Sequence, residues 1–110
     1  MACHCSHCQK QTGSAFSTIA GVPEAAFSLE GEAATYVDHG DSGNTVERSF
    51  CPQCGSPLFT RAEAAPGMVW IKTGTLDNPD AFAPSMHIWC KSKQHWLEPG
   101  ALPAFDVMPG

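Results

Sequence analysis

At 110 residues and 11.7 kDa the chain has room for one small domain spanning 1–110, which would bury roughly 60–70% of its unfolded surface; a second domain is not expected. Hydrophobic residues at 43% and charged ones at 15% exclude a disordered chain, and Lys+Arg 6 against Asp+Glu 11, a net charge of −5, leaves no basic stripe for nucleic acid or an anionic membrane. No apolar run approaches the ~18 residues of a membrane span and no basic segment precedes an apolar one at the amino terminus, so the sequence predicts a cytoplasmic protein.

The chain opens on Cys3-His4-Cys5-Ser6-His7-Cys8. In a reducing compartment, cysteines clustered this way serve metal binding or catalysis ahead of disulfides. Gln11-Thr12-Gly13-Ser14 reads as a turn, and the alternating apolar residues of 15–20 as a strand that Pro23 interrupts. Phe27-Ser28-Leu29 and Thr35-Tyr36-Val37 read as short strands separated by Gly31, and the turn chemistry of residues 40–44 implies a hairpin. Residues 45–50 run into the knuckle Cys51-Pro52-Gln53-Cys54-Gly55 and 57–61 leave it, so the knuckle should join antiparallel strands. Residues 68–72 and 86–89 have the β-branched and aromatic content of further strands, separated by turn-rich residues 76–80. No window sustains a 3.6-residue period, and nine prolines with ten glycines punctuate the chain, which predicts a mainly β fold. From Gln94 the chain reads as irregular, with a tail from about 98, although Trp96 and Leu97 are positioned to pack on the core.

Soft thiolates select zinc, and the glycine after Cys54 lets backbone N–H groups turn toward the thiolates of that knuckle. Three thiolates leave a fourth coordination position free, whereas four close the site. Two arrangements stay open. Cys3, Cys5 and Cys8 share one zinc while Cys51 and Cys54 form a half-site, or the second knuckle-like spacing, Cys5-Ser6-His7-Cys8, combines with Cys51 and Cys54 in a closed structural four-cysteine site. Cys90 is expected to be a buried, inert thiol. His4 and His7 flank the candidate ligands, where either offers a fourth bond to a metal, but an exposed loop is the expected place for both; His39 is expected in an exposed turn, while His87 either lines the site or packs within its strand.

Further motifs accompany the cysteines: Thr12-Gly13-Ser14-Ala15-Phe16 after the first cluster, Arg48-Ser49-Phe50 before the knuckle and Ser56-Pro57-Leu58 after it. Lys72-Thr73-Gly74-Thr75-Leu76-Asp77 and His87-Ile88-Trp89 follow, with Ser92-Lys93 and Trp96. Over roughly residues 3–97 the chain closely resembles the family of glutathione-dependent formaldehyde-activating enzymes, which also includes the domain of centromere protein V. The resemblance implies a small β-tent fold with zinc knuckles and two zinc sites. Cys3, Cys5 and Cys8 would hold a catalytic zinc; Cys51 and Cys54 would belong to a structural zinc completed, in the family, by an earlier Cys-x-Cys strand that precedes the point where this chain starts. The implied reaction, of carbon–sulfur lyase type, adds glutathione to formaldehyde, or a similar thiol to a similar aldehyde, giving S-hydroxymethylglutathione.

Thr12, Ser14 and Lys93 are the expected glutathione contacts, with Lys10, Arg48, Lys72 and Lys91 as further carboxylate partners. Trp70, Trp89 and Trp96 would wall a pocket or pack in the core. Competing readings are a noncatalytic structural zinc module, and a thiol redox enzyme similar to the B-type methionine sulfoxide reductases with Cys90 as nucleophile.

Overall fold

Turn residues and β-branched runs divide the chain into strands β1 (Ala2–Cys3), β2 (Ser17–Pro23), β3 (Ala34–His39), β4 (Thr45–Phe50), β5 (Pro57–Ala62), β6 (Met68–Lys72) and β7 (His87–Ile88). They form one seven-stranded sheet in the order β3-β4-β5-β6-β2-β1-β7. Neighbours pair antiparallel except β1 and β7, which run parallel. The fold is mainly β, as expected. The structure, a computed structural model, describes residues 1–40 and 42–109; Asp41 in the expected turn and Gly110 at the end of the expected tail lie outside the described residues.

The strands agree with the sequence where side chains alternate. The hairpin joins β3 to β4, closed by Gly40 N–H to Asn44 O at 3.0 Å and Gly43 N–H to Gly40 O at 2.8 Å. The Cys51 knuckle joins β4 to β5, also as expected. The strand expected at 15–20 begins at Ser17 and runs to Pro23, its last paired residue. Residues 27–29 form no strand. Phe27 instead lays its ring on Phe59, centroids 4.8 Å apart, so burial of the ring rather than ladder pairing fixes this segment.

One helix was not foreseen. Helix α1 (Ser6–Thr12) occupies the second half of the cysteine cluster and part of the expected turn. Its seven residues are too few to show a period, and its ends explain it: the Cys5 sulfur caps it by accepting Cys8 N–H, and Gly13, at φ 63°, ends it in the left-handed region.

The tail also departs from expectation. Residues 103–107 lie along β7, with His87 N–H to Pro103 O at 2.8 Å, Phe105 N–H to His87 O at 2.9 Å and Trp89 N–H to Val107 O at 2.8 Å. This strap covers backbone groups that an edge strand would otherwise leave open. Trp96 remains 61% exposed, away from the core.

Period-two alternation gives the sheet two different faces. Phe59 and Val69 are buried on one. The other carries Arg48 opposite Thr60, and Trp70 opposite both Thr60 and Gly21. Gly21 has no side chain because the Trp70 ring occupies that space: a Cβ there would stand 2.6 Å from Trp70 Cζ3. Gly21→Ala should therefore push the ring aside and destabilise the protein by about 1–3 kcal/mol. Urea unfolding with tryptophan emission measures both effects; unchanged stability and emission would refute this packing. The accessible surface of 6639 Å² exceeds the about 5,900 Å² expected for this mass, which fits a sheet with a hollow face.

Candidate metal centre and its cavity

Cys3 ends β1, held between β2 and β7; Cys5 caps α1, and Cys8 sits in its first turn. The strand, the bend after it and the helix thus aim three thiols at one point. Their sulfurs lie within 4.8 Å of one another, and all three residues are buried. Tetrahedral Zn–S bonds of ~2.3 Å place sulfurs about 3.8 Å apart, so this soft donor set fits a thiophilic ion after a small inward movement. Among the described residues no fourth His, Cys, Asp or Glu joins the group.

Two cations face the thiols. Arg48 and Lys72 are 4% and 6% exposed, one on β4 and one on β6. Lys72 Nζ donates to Ser17 Oγ at 2.6 Å, and Arg48 Nε donates to Asp38 Oδ2 at 2.9 Å. Asp38 also pairs with His7 Nδ1 at 3.1 Å. Protons distribute unevenly over the trio. The Cys3 and then the Cys5 thiol hydrogen-bond to the Cys8 sulfur and pull its pKa far down against burial, with Arg48 and Lys72 adding to the effect. Cys3 is driven far up by its hydrogen bonds to Cys5 and Cys8 and by burial. The bond from Cys3 lowers Cys5, but its own bond to Cys8 and its burial raise it on balance. Burial lowers Lys72 despite the pull of Cys8, while the Cys8 charge and Asp38 overcome burial and raise Arg48.

Burial would raise Asp38, yet its hydrogen bonds from Arg48 and His7 hold it below the ordinary carboxylate value. Folded Asp38 therefore binds fewer protons than unfolded Asp38. Its contribution is complete above its unfolded pKa, about 3.9, and disappears as pH falls through the lower folded value. Asp38→Asn is expected to cost about 1–2 kcal/mol at neutral pH, with the gap to wild type closing in acid. Urea midpoints at several pH values check this, and a gap independent of pH would contradict it.

The histidines divide across the sheet. His4 was expected on an exposed loop and is instead fully buried, because alternation turns it away from its cysteine neighbours. Its Nε2 shares a 2.8 Å hydrogen bond with His87 Nδ1, and its ring packs against Phe16. Burial, then the charges of His87 and Lys93, lower its pKa. His87 is thus a packing partner on the far face. His7, half-buried, lies on α1 rather than a loop, and His39 is exposed as expected. Gln9 ties α1 down by donating from Nε2 to His4 O and Ser92 O, both at 2.8 Å.

Above the trio lies a cavity of about 300 Å³. Its floor comprises the three cysteines with Arg48, Thr60 and Lys72, and its walls Ile19, Val46, Trp70, Ile88 and Trp89. Val107 and Met108, partly exposed, complete the rim. No local sequence signal marks these two, since only the fold-back of the tail brings them here. Trp89 takes φ 59°, an uncommon left-handed conformation for a bulky residue, and Lys91 Nζ lies 5.1 Å from its ring centroid.

The remaining expected site residues stand elsewhere. The Thr12 hydroxyl donates to Cys8 O at 2.8 Å within the helix, Ser14 is exposed, and Lys93 is half-buried on the His4 side; none lines the cavity. Lys10 and Lys91 are exposed. Cys51 and Cys54 occupy the turn between β4 and β5, closed by Cys51 N–H to Ser56 O at 2.9 Å and Gly55 N–H to Cys51 O at 2.8 Å. Cys54 is exposed, and hydrogen bonds from the Ser56 hydroxyl and then its N–H lower its pKa. Among the described residues this pair joins neither the trio nor a third ligand. Cys90 is half-buried rather than buried, and desolvation raises its thiol pKa, which weakens it as a nucleophile.

Comparison with known proteins agrees with the cysteine spacing. The family profile described as glutathione-dependent formaldehyde-activating enzyme matches residues 1–92. A Penicillium rubens protein provisionally named as such an enzyme is 32% identical over 98 residues, covering 89% of this chain and 44% of its own length. An Aspergillus flavus protein of the same provisional name is 30% identical over 98 residues, with the same coverages of 89% and 44%. One from Sordaria macrospora is 36% identical over 62 residues, 56% of this chain and 26% of its own. The chain thus spans less than half the length of these relatives.

Proposed function

The chain belongs to the glutathione-dependent formaldehyde-activating enzyme family, and from that premise we propose that it holds zinc on Cys3, Cys5 and Cys8 and joins a thiol such as glutathione to formaldehyde or a related aldehyde. The observation that carries this reading is the convergence of three buried thiols on the floor of a cavity, beside two buried cations. When bound, the ion would supply Lewis acidity that lowers the pKa of an entering thiol below its free value of about 8.5.

The chain's own groups have distinct roles. Arg48 and Lys72 compensate the negative charge of the cysteines, and both reach the cavity floor, where a carbonyl oxygen gains charge as sulfur attacks carbon. Lys72 Nζ, whose pKa burial lowers, is the better placed to give that oxygen a proton. The new carbon–sulfur bond forms, the carbonyl π pair moves to oxygen, and the proton lost by the thiol makes up the balance. Holding both reactants at the floor supplies most of the gain, since the reaction also proceeds unaided. Thr12, Ser14 and Lys93 stand outside the cavity, so they would serve only those parts of glutathione left at the surface. A reducing, cytoplasmic setting suits thiols that must remain free.

A structural zinc module is the second reading. It is favoured by one observation: the trio packs with Ile88 as a core cluster, against Met1, Met86, Trp89 and Phe105. Exchange NMR between formaldehyde hydrate and S-hydroxymethylglutathione separates the two. The zinc-loaded chain should accelerate exchange above the spontaneous rate; a folded, loaded chain without acceleration would leave only the structural role.

A further inference from the structure

We propose that His87 is a positioning residue for the metal centre: its hydrogen bond to the His4 ring holds the bend between Cys3 and Cys5, and with it the angle at which those two thiols meet an ion. This rests on the reading of the trio as a zinc site. In an extended strand residues i and i+2 stand about 6.6 Å apart, yet the Cys3 and Cys5 sulfurs lie within 4.8 Å of each other. The chain therefore turns between them, where β1 has ended and α1 has not begun, and His4 is the residue at the turn.

His4 is held on three sides. Its N–H donates to Ile88 O at 3.0 Å, and its carbonyl accepts from Gln9 Nε2 at 2.8 Å. The ring, fully buried, shares the 2.8 Å bond with His87 Nδ1 and packs on Phe16, centroids 5.0 Å apart. The first two anchors use main-chain atoms of residue 4 and are open to any side chain there; only the third requires histidines. His4 Nδ1 has no hydrogen-bond partner among the described residues. A bare ring nitrogen is tolerated in such a place better than a buried N–H without an acceptor, which assigns the His4 proton to Nε2 and makes His87 Nδ1 its acceptor. Without that acceptor the buried Nε2–H is left unpaired, and a ring that turns to find another partner carries with it the backbone joining the two thiols. Shifts of about 0.5 Å matter here, because a tetrahedral ion needs its sulfurs about 3.8 Å apart.

The test compares the full chain with His87→Leu, which fills similar space without an acceptor, and with His87→Asn, whose Oδ1 can stand where Nδ1 stood. Zinc affinity, read by chelator competition on folded protein, should fall about 10–100-fold in His87→Leu, and His87→Asn should recover most of that loss. Cobalt in place of zinc should give an altered ligand-field spectrum in the leucine variant and a near-wild-type one in the asparagine variant. A contact that merely supports the fold would lower the unfolding midpoint and leave metal affinity and spectrum unchanged; that result in a folded His87→Leu chain overturns the proposal. So does nitrogen NMR of the wild type that finds the His4 proton on Nδ1, a measurement that decides even where His87→Leu does not fold. A wild-type chain that binds neither zinc nor cobalt would instead overturn the zinc reading, and the role of His87 with it.

Discussion

Removal of zinc from the loaded protein with a strong chelator is expected to abolish cooperative unfolding or lower the midpoint by tens of degrees. Cys3, Cys5, Cys8 and Ile88 form a core cluster, so three of its four side chains would be metal ligands. Without the ion, three thiols crowd one another: Cys8 is drawn toward the thiolate while Cys3 is held strongly as thiol. Structural zinc contributes apparent values of about 10–16 kcal/mol in zinc-finger peptides, comparable to the about 5–15 kcal/mol that stabilises a domain. Cys8→Ser should reproduce the effect and eliminate tight zinc binding, with turnover falling at least about 100-fold. Calorimetry with and without chelator, together with zinc stoichiometry, checks this. One zinc per chain lost with Cys8→Ser is expected; metal retained at wild-type affinity would refute the assignment of these ligands. Because Cys51 and Cys54 meet no third ligand among the described residues, their double replacement by serine should have a much smaller effect on the zinc held by the trio.

Loss of the Arg48 guanidinium should have the next largest effect. It is nearly buried, bridges the thiolate of Cys8 and Asp38, and cannot be replaced by water without rearrangement. Arg48→Met leaves Asp38 without its cation and the cysteines with one positive neighbour fewer. Breaking a well-buried pair costs about 3–5 kcal/mol, and partial exposure of Asp38 reduces the expected cost here to about 2–3 kcal/mol. Zinc affinity should fall about 10–100-fold, as for other groups that support ligands from behind. Arg48→Lys, a point charge without the planar fork, should recover only part of both losses. Chelator competition and denaturant unfolding measure them separately. Unchanged zinc affinity in a folded Arg48→Met protein would exclude Arg48 from supporting the thiolates.

The mainly β character and the β4–knuckle–β5 unit were legible because strands announce themselves by alternation and turns by glycine and proline. The first three cysteines were legible because two short spacings suffice to bring thiols together. Helix α1 was not, since seven residues leave no period and its cap is a cysteine sulfur rather than a usual capping oxygen. Burial of His4 escaped a reading that placed the whole cluster on a loop, although β1 alternation turns that ring to the opposite face from Cys3.

What the amino-acid order determined by itself is the donor set: soft thiols at spacings that local backbone geometry alone can gather, in a chain of net charge −5. What only tertiary structure decided is their setting. Arg48 and Lys72 come from strands far along the chain, and register brings them beneath the sulfurs. Val107 and Met108 reach the rim because the tail pairs with β7. Ligand spacing is a short-range property set by a few dihedral angles, whereas charge compensation and cavity shape depend on non-local strand pairing, for which no single stretch of sequence carries the signal.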